Sequence, residues 1–203
     1  MKIGILISGR GSNMTAIVEA VQSGLISDSE IAVVVSDKTC AEGLIKAKER
    51  GVEAIVITKK GRTREEHDAE IVAELKKHGV ELVCLAGYMR LLSKDFIRAF
   101  PNRIINIHPS LLPAFKGLDA QQQAIDYGVK ISGCTVHFVD EDLDHGAIIA
   151  QKVVKISDDD TAETLSARIL EYEHALYVEA IKNIVEGKIK IRGRKIETVS
   201  VLT

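Results

Sequence analysis

The sequence predicts an α/β protein: a doubly wound, mostly parallel sheet with antiparallel C-terminal strands and a long C-terminal helix. Three observations carry that expectation. From Lys2 to His108, short apolar runs alternate with stretches of helical length, the rhythm of parallel strands joined by crossover helices. The first run ends in a glycine turn, Gly9-Arg10-Gly11, that leads into a helix, the front half of a βαβ unit. After Gly128 the rhythm changes. Two strand-like runs are joined only by Asp140 to Gly146, too short a link for a helical crossover, so they should pair antiparallel.

Each element has a local reason. Lys2 to Ser8 is a continuous apolar strand, and Met14 to Val21 follows at helical spacing until Gly24. Glu30 to Ser36 is a β-branched strand; Ala41 to Arg50 is a helix stopped by Gly51. Val52 to Thr58 reads as a strand, Arg62 to His78 as a polar-faced helix that Gly79 ends, and Glu81 to Ala86 as a fourth strand. Asp95 to Phe100 is a short helix before the strand Arg103 to His108. A loop from Ala114 leads to a short helix that Gly128 stops, then to strands Lys130 to Val139 and Ala147 to Ile156. Thr161 to Val185 is the long helix. Asp158 to Asp160 suit its positive end, although Thr164 stands where a capping box would carry an acid. Lys188 to Thr203 alternates like a half-buried hairpin around Gly193. With no repeat and no linker, residues 1–203 are expected to form one domain.

Composition narrows the function classes. Hydrophobic residues at 46% and charged residues at 28% are ordinary for a globular protein, and a formal charge of −2 gives no support for a nucleic-acid or membrane binder. The run Ile3 to Ile7 is too short for a signal core or a membrane span, so a cytoplasmic protein is expected. Cys40, Cys84 and Cys134 form no CxxC pair. Cys84 and Cys134 sit in apolar runs and read as buried thiols.

The chemistry centres on Asn106-Ile107-His108-Pro109-Ser110-Leu111-Leu112-Pro113. All three prolines, at 101, 109 and 113, bracket this stretch. A strand's period of two puts Asn106 and His108 on one face, and Pro109 helps to stop the strand. Two donors aimed at one point can hold an oxygen that becomes negative during a reaction. The plainer reading is a strand end with two solvated polar residues. The Leu112–Pro113 bond is a candidate cis peptide, since a sharp turn must follow the strand.

Three other stretches could bind ligands. Gly9 to Asn13 suits a phosphate at a helix start, or is merely a tight turn. As a dinucleotide fingerprint it fails at Met14, although Asp37 could still serve as a ribose-binding acid. The loop Gly87 to Leu92 is apolar enough for a core plug or for the wall of a pocket that takes a flat ring. In the acidic connection, Asp140, Glu141, Asp142 and Asp144 are solvated or orient a histidine. Metal-ligand spacing is missing there. Arg64, in the first turn of its helix, opposes the helix dipole and so serves an anion or is simply solvated.

Together, SGRGSN (8–13), LAGYMRLLS (85–93), NIHPSLLP (106–113), GCTVHFVDEDLDHGAII (133–149) and EHALY (173–177) resemble the folate-dependent phosphoribosylglycinamide formyltransferases over residues 1 to about 185. The resemblance implies the Rossmann-like fold of that family. It also implies transfer of a formyl group from 10-formyltetrahydrofolate to the amino group of 5-phosphoribosylglycinamide, in de novo purine biosynthesis. Carried over residue by residue, the reaction centre falls on Asn106, His108 and Asp144. Substrate contacts fall on Gly11, Ser12, Asn13 and Glu173. Folate contacts fall on Arg64, Met89, Arg90, Leu91, Leu92 and Asn106, and on the loop Asp140, Glu141, Asp142, Leu143 and Asp144. Some members carry histidine where Asp119 and Gln121 stand, and Leu170 lies at a variable position, so no role is carried to these three. The implied partners are small molecules, with no metal, nucleic acid or membrane; a homodimer is left open.

The residues fit that chemistry on their own terms. A primary amine attacks a formyl carbon, and the Asn106 amide and a protonated His108 would stabilise the oxyanion. Asp144 would hold the imidazole, and His108 or a water would carry the proton to the departing nitrogen. Two rival readings stay open. A formyltetrahydrofolate hydrolase would use a similar set with water as acceptor; such enzymes usually carry an N-terminal regulatory domain, whereas here the first strand begins at Lys2. The other is a nucleotide-binding protein without catalysis.

Overall fold

The structure, a computed structural model, describes residues 1–198, so the end of the predicted tail, 199–203, lies outside the described residues. The chain divides into two compact units, Met1–Asn106 and Ile107–Thr203.

The first unit contains β1 (Lys2–Ile7), α1 (Ser12–Gln22), β2 (Glu30–Ser36), α2 (Glu42–Glu49), β3 (Ala54–Val56), α3 (Arg64–Lys77), β4 (Leu82–Leu85) and α4 (Lys94–Ala99). It also contains the start of β5 (Ile104–His108). These strands lie in the order β3-β2-β1-β4-β5, every pair parallel. Strand β1 is buried on both faces because its residues after Lys2 offer apolar surface or no side chain at all. A Cβ on Gly4 would stand 2.8 Å from Leu75 of α3, while Ile7 presses on Gly43 of α2 from the opposite face. Helices therefore cover both sides of this sheet, as the alternation predicts. Strand β3 is shorter than the predicted 52–58 because its ladder to β2 spans only Ala54–Val56, at the sheet's edge. Helix α3 starts at a capping box that the sequence reading missed: Thr63 accepts from the Glu66 N–H, and the Glu66 carboxylate accepts from the Thr63 N–H.

The second unit contains α5 (Ala120–Tyr127), β6 (Ile131–Phe138), β7 (Ile148–Lys155), α6 (Ala162–Val185), β8 (Ile189–Arg192) and β9 (Lys195–Thr198). As predicted, β6 and β7 pair antiparallel, with a register shift beside His137. The hairpin β8–β9 is antiparallel too. Helix α6 packs on α5, β6 and β7. Its buried stripe runs Leu165, Ile169, Glu173, Tyr177, Ile181, one residue every four, with a carboxylate in the middle. At its start, Thr164 takes the place of the missing acid: its hydroxyl accepts from the Thr161 N–H at 2.9 Å, and Thr161 returns the bond. Among the described residues no helix is long and apolar enough to cross a membrane.

Candidate active site

In the first unit, the turn after β1 is built on two glycines. Gly11 caps α1 at φ 71°, and a Cβ there would stand 2.7 Å from the Gly43 Cα. The Gly43 N–H donates to the Gly9 carbonyl at 3.0 Å. The close approach of Gly11 and Gly43 lets the turn sit flat on the start of α2. Helix α1 begins with no side-chain cap and no acid in its first turn, leaving its positive end without a built-in counter-charge. Gly11→Val is therefore expected to disturb the turn itself. It should lower the melting temperature and, if the turn is the phosphate cradle the sequence suggests, raise KM for a phosphorylated substrate, while Ser12→Ala should be mild on both. Thermal melts and substrate titrations of the two variants check this; a serine change worse than the glycine change contradicts a backbone cradle.

The same strand end anchors the loop 87–92. The Ser8 N–H donates to the Gly87 carbonyl at 3.0 Å, and the Ser8 hydroxyl accepts from the Met89 N–H at 2.9 Å while donating to Asp37 at 2.7 Å. Asp37, weighed above as a ribose acid, thus braces this loop through Ser8. At the loop's far end the Ser93 N–H donates to Asp68 at 2.6 Å. Held at both ends, the loop leaves Met89 and Leu91 more than half exposed over a buried Tyr88. Arg90 and Leu92 are half-buried. Arg64 stands exposed at the first position of α3.

The strand β5 carries Asn106, half-buried, and His108, 5% exposed, two residues apart and therefore on one side of the strand. In the second unit, the His108 ring is held at both nitrogens. Its Nε2 donates to the Phe115 carbonyl at 2.8 Å, and its Nδ1 faces the Asp144 carboxylate at 3.4 Å. A neutral ring with its one proton on Nε2 would turn a lone pair toward that carboxylate. The imidazolium has an acceptor for each N–H. Both partners sit on left-handed backbone, Phe115 at φ 51° and Asp144 at φ 45°, which costs about 1–2 kcal/mol for a residue with a side chain. Left-handed backbone thus stands at both contacts of this one imidazole, as it also does at Asp28, Asn102 and Asp119 elsewhere in the chain.

Several bonds secure those partners. The Asp144 carboxylate also accepts from the Gly117 N–H at 2.8 Å. The Thr135 hydroxyl donates to the Ser110 carbonyl at 2.7 Å and accepts from the Leu112 N–H at 3.1 Å, fixing the segment after His108 on β6. The Leu112–Pro113 peptide is cis, as expected. Gly146 closes the acidic loop, since a Cβ there would meet the Phe138 carbonyl oxygen at 1.9 Å. Within the loop, Asp140 pairs with His145 at 2.8 Å and accepts from the Asp142 N–H at 3.1 Å. Glu141, Asp142 and Leu143 are exposed. Of the four acids Asp140 and Asp144 are half-buried, and Asp144 turns to His108.

Sequence reasoning set His137 aside as a metal ligand, for want of a close histidine or cysteine, and gave it no other role. Its ring is buried, its Nδ1 donates to the Phe138 carbonyl at 2.8 Å, and its Nε2 lies 3.8 Å from Asp144. Burial is the largest influence on it and holds its pKa below the ordinary 6.5. His137 thus stays neutral near pH 7, leaving Asp144 to pair with His108. The unfolded chain binds the proton first as pH falls, so His137 should stabilise the fold less and less as pH drops below about 6.5. His137→Gln should narrow the difference between urea midpoints at pH 7.5 and 5.5; an unchanged difference would remove His137 from the pH response.

Glu173 is 7% exposed on α6, within electrostatic reach of Cys134. Burial first, then the Glu173 charge, push the Cys134 thiol up to about 12, so it is no nucleophile. Cys84 is buried as well. Among the described residues no group of His, Cys, Asp and Glu is placed to hold a metal ion. Asp119 caps α5 with its backbone alone at φ 56°, and Gln121 reaches Ser166 at 3.4 Å.

The family described as formyl transferase matches residues 1–181. The chain is 41% identical over 192 residues to a phosphoribosylglycinamide formyltransferase of Haemophilus influenzae, covering 94% of this chain and 90% of that one. It is 43% identical to the trifunctional purine biosynthetic protein adenosine-3 of Chironomus tentans and of Gallus gallus, covering 95% and 94% of this chain; it spans only 14% and 19% of their lengths. Among solved structures, glycinamide ribonucleotide transformylase 1 from Symbiobacterium toebii superposes with a TM-score of 0.96 at 48% identity, covering 98% of this chain and 94% of that one.

Proposed function

The chain belongs to the formyl transferase family, in its phosphoribosylglycinamide formyltransferase branch, and from that premise we propose that it transfers the formyl group of 10-formyltetrahydrofolate to the amino group of 5-phosphoribosylglycinamide in de novo purine biosynthesis. The observation that carries the reading is His108 held between the Asp144 carboxylate and the Phe115 carbonyl.

The substrate amine attacks the formyl carbon, and the carbonyl oxygen becomes an oxyanion. The Asn106 amide and the His108 Nε2–H donate to it, the latter released by the Phe115 carbonyl. Asp144 keeps Nδ1 and so fixes the ring's orientation. The proton lost by the attacking nitrogen passes through His108 or a water to the departing folate nitrogen, and the C–N bond to folate breaks. Neither a nucleophilic side chain nor a metal enters these steps.

Gly11, Ser12 and Asn13 receive the substrate phosphate on backbone N–H groups, and Glu173 contacts the same substrate. The folate lies on Met89 to Leu92, with Arg64, Asn106 and the loop Asp140 to Asp144 completing its contacts. The family match runs from residue 1 to 181, through both units, which supports reading 1–203 as one formyltransferase domain. The protein works in the cytoplasm on small molecules, without nucleic acid or membrane, and a homodimer is compatible with this role.

The test is a mixture of the protein with 10-formyltetrahydrofolate, with and without glycinamide ribonucleotide. Formylated product only when both are present is the expected result. Formate released without the acceptor would identify a hydrolase, and no turnover in either mixture would identify a binding protein.

A further inference from the structure

The hairpin β8–β9 has no part in the reaction proposed above, yet its tip touches the loop that carries Asp144. Arg192 and Lys195 face each other across the hairpin, so Gly193 and Arg194 form its two-residue turn, with Gly193 at φ 60°. Strand β9 lies against β7, whose start follows the acidic loop. From the turn, the Arg194 guanidinium donates to His145 Nε2. The other ring nitrogen, Nδ1, donates to Asp140 at 2.8 Å and lies 3.8 Å from Asp142. Arginine has donors only, so Nε2 accepts here and the ring is the neutral tautomer protonated on Nδ1. His145 thus differs from His108, which faces an acceptor at each nitrogen. Asp140 also accepts from the Asp142 N–H at 3.1 Å. A chain of hydrogen bonds therefore runs from the hairpin tip through His145 to the start of the acidic loop.

We propose that the C-terminal hairpin braces the acidic loop, and that Arg194 and His145 are positioning residues that keep Asp144 aimed at His108. Asp144 and His145 are neighbours in the chain with different targets. Asp144 reaches His108 Nδ1 at 3.4 Å and the Gly117 N–H at 2.8 Å, whereas His145 reaches Asp140 and Arg194. A residue with a side chain holds left-handed backbone only where its surroundings fix it, and Asp144 stands at φ 45°. Anchoring His145 fixes the residue next to it. The His145 and Asp140 side chains are 41% and 43% exposed, so the brace acts on the scale of one hydrogen bond and not of a buried ion pair. The effect on catalysis rests on the roles given to His108 and Asp144 above; the effect on loop geometry does not.

The experiment compares the full-length wild type with His145→Ala, His145→Gln, Arg194→Ala and Arg192→Ala. It records the Gly117 amide and His108 ring resonances, which report the aim of Asp144, together with steady-state kinetics. His145→Ala and Arg194→Ala should move both resonances and lower kcat about five-fold, the scale of one hydrogen bond, with KM for glycinamide ribonucleotide unchanged. Glutamine offers an oxygen to Arg194 and an N–H to Asp140, so His145→Gln should restore resonances and rate. Arg192→Ala loses a pair with Glu197 inside the hairpin and should match wild type. Unmoved resonances in both alanine variants at positions 145 and 194, a glutamine variant as displaced as the alanine one, or an equal effect of Arg192→Ala would overturn the brace. Moved resonances with unchanged kcat would overturn the positioning role. A wild type without formyl transfer would sink the function proposed above and leave the resonance test standing.

Discussion

His108→Ala is expected to slow the chemical step by about two to three powers of ten, the scale that follows removal of one oxyanion donor. The ring does two things at once in the proposed reaction: it donates Nε2–H to the oxyanion and it relays a proton. Alanine removes both, while Asn106 remains. Substrate affinity should change little, because the 9–13 turn and the 87–92 loop, the proposed binding segments, are anchored by Ser8, Gly43 and Asp68, not by the imidazole. Single-turnover kinetics at saturating substrate check the expectation. Near wild-type rates would exclude His108 from the chemistry.

Asp144→Asn is expected to lower the same step about 10–100-fold, taking as a scale the loss that follows removal of the partner orienting a metal-bound imidazole. Asparagine keeps the size and can still accept from the Gly117 N–H, so the loop should persist. What goes is the negative charge 3.4 Å from His108 Nδ1. Asp142→Asn is the control, because that side chain is 79% exposed and lies 3.8 Å from His145, away from His108. Equal rates for the two variants would reduce Asp144 to an ordinary loop acid.

The strand β5 was legible in the sequence because its logic is local. A period of two fixes which residues share a face, and Pro109 ends the strand. The long helix was legible locally too, from Thr161 with Asp158 to Asp160 ahead of it, which suit a helix's positive end. Asp144 was not legible from composition, since it stands among Asp140, Glu141 and Asp142 with nothing local to separate them. Only the resemblance singled it out; the structure adds the reason, a turn closed by Gly146 and a left-handed backbone that aims this one acid at His108. The parts played by Gly43 and His137 were not legible because each depends on a partner far along the chain. Gly43 matters only against Gly11, and His137 only against Asp144. The Phe115 carbonyl was invisible for a different reason: a backbone atom's role does not show in the identity of its side chain.

The central claim is that Asp144 acts on the reaction through His108. A double-mutant cycle measures that coupling, using single-turnover rates for wild type, His108→Ala, Asp144→Asn and the double variant. Two residues acting as one unit lose their effect once. The double variant should therefore be no more than about two-fold slower than His108→Ala alone. A rate loss equal to the product of the two single losses would contradict the account, because Asp144 would then contribute without the histidine.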